Sequence, residues 1–237
     1  GVCLGISSIK FALDQNYNLA VIFLIFAAIL DTLDGRIARL IKGTSEFGKE
    51  LDSLTDFVSF GIAPAFILYF WELKNYGKIG WAITLIYSVC CVLRLARFNL
   101  TKISEEAEWK RNYFEGIPSP AGAILILLPL IYELSEVQLN FDIKKFTPYV
   151  VVIVAVLLIS SIPTFSLKKI KTSSRITIFL LFGIVVIFVS LIFFTFKALL
   201  VISTMYLTSI PISYFLYKKT SKKLSKVSNE EDHEDIL

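Results

Sequence analysis

Residues 18–40 read NLAVIFLIFAAILDTLDGRIARL and residues 51–72 read LDSLTDFVSFGIAPAFILYFWE. From Leu19 to Leu30 the first stretch has no polar side chain, and it then meets Asp31 and Asp34. The second opens on Asp52 and Asp56 and becomes apolar after them. Each is about 20 residues or longer, the length a helix needs to cross a hydrocarbon core. The pair reads as a membrane hairpin with four carboxylates at its joined ends.

The rest of the chain follows the same pattern. Of 237 residues 55% are hydrophobic and 19% charged, with a mean hydropathy of +0.69. A soluble domain carries about 25% charged residues, so disorder, a disulfide-stapled secreted module and a soluble α/β enzyme are excluded. The fold class is an all-α polytopic membrane protein. Further spans are expected at about 80–99, 117–134, 148–167, 176–195 and 198–217. The opening Gly1–Leu13 is expected to be the C-terminal part of a spanning helix whose start precedes the chain. That makes about eight spans in a single transmembrane catalytic domain, 1–217. Residues 218–237 form a charged tail, basic first and acidic after.

Charge sets the expected orientation. The loops after spans two, four, six and eight hold 18 of the 24 lysines and arginines, and the opposite side holds six. Basic loops stay in the cytoplasm, so both termini and the four-aspartate end are expected on the cytoplasmic side of the cell (inner) membrane. Basic residues gathered at membrane edges speak for topology, not for nucleic acid. Cys3, Cys90 and Cys91 fall in apolar stretches without metal-type spacing, and the single histidine, His233, lies in the acidic tail. A histidine metal site or His-based triad is therefore not expected.

The carboxylates carry the chemistry. Spacings of three and four put Asp31 with Asp34, and Asp52 with Asp56, on one face of their helices. A short link at 42–47 makes the helices antiparallel neighbours, so both pairs meet at one depth. Taken singly, an aspartate here could be a helix-end residue in the headgroup zone. Four converging would repel one another, and a cation removes that repulsion. Oxygen ligands select hard cations, and two carboxylate pairs can hold two ions, Mg²⁺ or Mn²⁺, in the arrangement suited to phosphoryl transfer. Gly35 and Gly48 leave backbone open for a diphosphate, Ala38 keeps the helix face slim, and Arg39 could grip a phosphate bidentately.

The string Asp31-x2-Asp34-Gly35-x2-Ala38-Arg39-x8-Gly48-x3-Asp52-x3-Asp56 resembles, at each defined position, the motif of the CDP-alcohol phosphatidyltransferase family. The segments 52–64 (DSLTDFVSFGIAP), 94–99 (RLARFN) and 114–120 (FEGIPSP) resemble its phosphatidylserine synthase branch. The resemblance covers most of residues 1–135. It implies a six-helix core at about 1–167, with about two extra C-terminal spans at 176–217, and a homodimer. It also implies a dinuclear Mg²⁺ or Mn²⁺ site on Asp31, Asp34, Asp52 and Asp56, with Asp56 the base for the acceptor hydroxyl. Gly35, Ala38, Arg39, Gly48 and Asp52 would bind CDP-diacylglycerol, with its tails among membrane lipids. L-serine would be the acceptor, and CMP the leaving group.

Glycerol 3-phosphate or inositol phosphate are the rival acceptors within the family. From another class, a divalent-cation transporter could place aspartates between helices, but would want them near mid-membrane with broken helices. Serine brings a carboxylate that needs a cation. Arg94 and Arg97, three apart and followed by Asn99, are the expected donors for it.

Overall fold

The computed structural model describes residues 1–40, 45–100, 113–137, 142–165 and 174–234. The described residues hold ten α-helices: α1 (Val2–Leu13), α2 (Tyr17–Leu40), α3 (Glu46–Asp56), α4 (Ala63–Trp71), α5 (Gly77–Leu100), α6 (Ser119–Ile126), α7 (Leu128–Leu134), α8 (Thr147–Ile159), α9 (Ser174–Phe193) and α10 (Thr195–Glu234). Among the described residues, four helical segments are long and apolar enough to cross a membrane: Tyr17–Ile37, Glu46–Trp71, Leu73–Asn99 and Thr195–Lys218. The protein is an all-α polytopic membrane protein.

The helical segments α1, α2, α3–α4 and α5 run in alternating directions, as their side-chain links show. Gly1, opening α1, accepts a 3.4 Å hydrogen bond from Ser59 Oγ just past α3. Tyr17, opening α2, donates at 3.1 Å to the carbonyl of Phe70, near the far end of α4. At the end of α5, Asn99 Nδ2 donates to Ser53 Oγ of α3 at 2.9 Å. Arg97 of α5 donates to the carbonyl of Ile159 (3.2 Å) and to Ser161 Oγ (2.9 Å), at the end of α8. Asp52, Asp56, Arg94, Arg97 and Asn99 therefore lie at one end of the bundle. The opposite end carries an aromatic cluster of Phe66, Tyr69, Phe70 and Trp81, which suits a membrane interface.

The core is made where small residues let helices close. A Cβ on Gly5 of α1 would stand 2.9 Å from Ser59 Oγ and 3.2 Å from Ser59 Cα. Glycine at position 5 is what lets α1 lie against the segment that follows Asp56. Around that crossing pack the buried Phe60, Ile67, Leu68, Tyr87 and Cys91.

The structure departs from the sequence reading in four places. The span expected at 51–72 begins at Glu46, where Ser45 caps α3 by accepting from the Gly48 N–H at 3.0 Å. It also contains a π-helical turn, Phe57–Ile62, directly after Asp56. Pro64 brings no N–H, so the carbonyl of Phe60 lacks its α-helical donor. The fully buried Tyr87 hydroxyl of α5 donates to it instead, at 2.9 Å, and Ser88 Oγ donates to the Gly61 carbonyl at 3.2 Å. The 117–134 span is divided at Leu127 into α6 and α7, with Pro129 in the first turn of α7. The 148–167 span stops at Ile159, and Pro163–Phe165 (β2) pairs antiparallel with Tyr113–Glu115 (β1). Lastly, the charged tail is helical to Glu234, continuing α10.

The Phe60 carbonyl supplies a stability test. Tyr87→Phe leaves it buried without a donor, which costs about 1–3 kcal/mol. The thermal midpoint in detergent is expected to fall. Pro64→Ala in the same background returns a backbone N–H and is expected to recover part of the loss. Equal midpoints for wild type and Tyr87→Phe would contradict this account of the turn.

Candidate metal centre and acceptor site

Helix α2 carries Asp31 and Asp34 in its last turns, and α3 carries Asp52 and Asp56. One carboxylate oxygen from each of Asp31, Asp34 and Asp52 lies within 4.8 Å of the other two. Asp56 faces Asp31, their carboxyl groups within hydrogen-bonding reach. The four aspartates singled out in the sequence thus converge, three of them at metal-ligand separations. Asp34 and Asp52 are exposed at the rim, while Asp31 and Asp56 are half-buried.

These residues fit a cation. Carboxylates so close have no basic residue bonded among them that would neutralise the cluster, among the described residues. Asp56 Oδ1 is buried and has no hydrogen-bond partner. A buried carboxylate oxygen left without a donor is costly, and a hard cation satisfies it while cancelling the repulsion. The π-helical turn Phe57–Ile62 follows Asp56 directly, between α3, which carries the ligands, and the buried α4. Insertions of that kind recur at functional positions.

The neighbouring residues sort by contact. Gly48 sits in the first turn of α3, where a Cβ would stand 3.2 Å from Ser45 Oγ. Gly35 lies one residue past Asp34 in α2. The side chains of Ala38 and Arg39 lie outside the described residues. Arg94 donates through Nη1 to the buried Ser119 Oγ, the first residue of α6, and stacks 5.9 Å from the Phe98 ring centroid. Its charge lies near enough to Asp56 for the two to interact. Arg97 instead reaches the end of α8, and Asn99 reaches Ser53, beside Asp52. The three expected acceptor-binding residues therefore split. Arg94 borders the aspartates, Asn99 fixes α5 to α3, and Arg97 holds α8.

Sequence reasoning passed over the role of Ser119, which lies inside the segment FEGIPSP, quoted for its resemblance, and orients Arg94.

Comparison with known proteins agrees with this geometry. The profile described as CDP-alcohol phosphatidyltransferase matches residues 1–160. A protein of Mycobacterium leprae named CDP-diacylglycerol–serine O-phosphatidyltransferase is 41% identical over 174 residues, 73% of this chain and 57% of that protein. One of the same name from Helicobacter pylori (strain ATCC 700392 / 26695) is 36% identical over 192 residues, 81% of this chain and 77% of the relative. A third, from Methanocaldococcus jannaschii, is 42% identical over 99 residues, 42% of this chain and 44% of the relative. The chain thus spans little more than half the length of its mycobacterial relative and about three quarters of the Helicobacter one. With the aspartate motif assembled in space and the match extending from residue 1 to residue 160, the chain belongs to the CDP-alcohol phosphatidyltransferase family.

Proposed function

We propose that the chain transfers the phosphatidyl group of CDP-diacylglycerol to the hydroxyl of L-serine, giving phosphatidylserine and CMP. The observation that carries this reading is the convergence of Asp31, Asp34 and Asp52 within 4.8 Å, with the unpartnered oxygen of Asp56 beside them. The names of the relatives support serine as the acceptor. Two divalent ions, Mg²⁺ or Mn²⁺, held by the four aspartates would neutralise the diphosphate and the phosphate of departing CMP.

The chain's own residues do the rest. Asp56 accepts the proton of the serine hydroxyl as that oxygen bonds to the phosphatidyl phosphorus. The bond from phosphorus to the bridging oxygen breaks, and that oxygen leaves with CMP. A carboxylate among cations is a weak base, so much of the rate comes from holding the hydroxyl in line. The Asn99–Ser53 bond supports that alignment by tying α5, and with it Arg94, to the helix bearing Asp52 and Asp56. Gly35, Ala38, Arg39 and Gly48 would receive the diphosphate, and the acyl tails would stay in the bilayer. The active site would face the cytoplasm from a homodimer in the inner membrane.

The acidic cluster ends one span and opens the next, which favours interfacial chemistry over transport through mid-membrane. Purified protein given CDP-diacylglycerol, Mn²⁺ and a panel of alcohols is expected to release CMP with serine and to form phosphatidylserine. A lipid product formed with glycerol 3-phosphate or inositol phosphate, but not serine, would reassign the acceptor. Absence of CMP release with any alcohol would defeat the transferase reading.

A further inference from the structure

The family profile matches residues 1–160, and β2 and α10 lie beyond it. A run of buried hydrogen bonds nonetheless joins them to the site. Ser213 of α10, fully buried, donates to the carbonyl of Pro163 in β2 at 2.8 Å. Thr164, the next residue, donates through Oγ1 to the Gly116 carbonyl at 2.7 Å, and the Gly116 N–H donates to the Ile162 carbonyl at 2.9 Å. Gly116 follows β1 directly. Ser119, a little further on, opens α6, is fully buried and accepts from Arg94 Nη1.

Arg94 lies on the face of α5 that meets the segment bearing Asp56. The bonded pairs Tyr87–Phe60, Ser88–Gly61 and Asn99–Ser53 run antiparallel. Arg94, between Ser88 and Asn99, is therefore level with Asp56, between Gly61 and Ser53. Positions 87 and 94 are two helical turns apart and share a face. The Arg94 guanidinium stacks over Phe98 at 5.9 Å, spends Nη1 on Ser119, and keeps a buried Nε that has no partner among the described residues. That leftover donor suits an anionic ligand group, and Ser119 fixes where it stands. The aspartates are carried by α2 and α3, outside this run of bonds.

We propose that α10 and the ribbon brace the acceptor side of the site, with Ser213 and Thr164 as positioning residues that act through Ser119 on Arg94. This rests on the proposed transfer to serine. The brace sets where Arg94 meets the carboxylate of the acceptor, while the diphosphate of CDP-diacylglycerol stays with the aspartates. Helix α10 thus serves the reaction from outside the aspartate motif.

The test measures KM for each substrate, and kcat, in wild type, Ser213→Ala, Thr164→Val, Ser119→Ala and the two double variants that include Ser119→Ala. Ser213→Ala and Thr164→Val each remove one donor without adding bulk, so the bundle should still form. In both, the KM for serine is expected to rise about fivefold, the worth of one buried hydrogen bond. The kcat and the KM for CDP-diacylglycerol should stay at wild-type values, because the carboxylate is held alike before and during transfer. Added to Ser119→Ala, either change should raise the serine KM by less than it does alone, since both act through that one hydroxyl. A merely structural role would lower the thermal midpoint and move both KM values alike. An unchanged serine KM in Ser213→Ala or Thr164→Val, an equal rise for both substrates, or full additivity with Ser119→Ala would overturn the inference while leaving phosphatidyl transfer standing. Absence of serine-dependent CMP release by wild type would overturn the proposed function and this inference together.

Discussion

Asp56→Asn is expected to reduce CMP release by on the order of 10³-fold or more, the scale set by removing a proton acceptor and a charge-stabilising group together. Asp31→Asn and Asp52→Asn are expected to lose comparably, because each keeps its shape and forfeits the charge that a cation needs. Stability supplies a readout independent of turnover. Oxygens of Asp31, Asp34 and Asp52 crowd within 4.8 Å, and like charges so placed repel even through a well-screened medium. Without divalent ions, the asparagine variants should therefore melt no lower than wild type. Added Mn²⁺ should raise the wild-type midpoint, since a ligand that binds only the folded state stabilises it, and should raise the variants less. Wild-type turnover in any of the three, or an equal Mn²⁺ shift in all, would refute the shared cation site.

The aspartate cluster was legible in the sequence because its information is local. Spacings of three and four fix a helical face, and a short link between two apolar runs brings both faces to one depth. The helical segments were legible for a similar reason, since runs such as Leu19–Leu30 have no stable alternative in a bilayer. The π-helical turn was not legible. It depends on Pro64 removing one donor and on Tyr87, 27 residues from Phe60, supplying another. Tertiary pairing also decided the fate of 163–165, which periodicity assigned to a helix and which pairs with 113–115. Arg94 and Arg97 share a turn of α5, yet one meets Ser119 and the other the end of α8. Spacing along a helix says which residues neighbour each other; it does not say which helix each will face.

The short ribbon has a glycine at its hinge whose replacement should be among the most damaging single changes outside the aspartates. Gly116 has φ +75, and a Cβ there would stand 2.7 Å from the Ser160 carbonyl oxygen and 3.2 Å from that of Leu158. Backbone shift is blocked from both sides. The Gly116 N–H donates to the Ile162 carbonyl at 2.9 Å, and its own carbonyl accepts from Thr164 Oγ1 at 2.7 Å. Left-handed backbone costs an L-residue about 1–2 kcal/mol, and forcing atoms into a packed site adds about 1–3 kcal/mol. Gly116→Ala should accordingly lower the thermal midpoint by several degrees, and Gly116→Val by more. Ser119 lies three residues on and holds Arg94, so the KM for serine should rise in any Gly116→Ala protein that folds. A wild-type midpoint for Gly116→Ala would mean that the ribbon yields at Gly116, and that Ser119 is held in place by α6 alone.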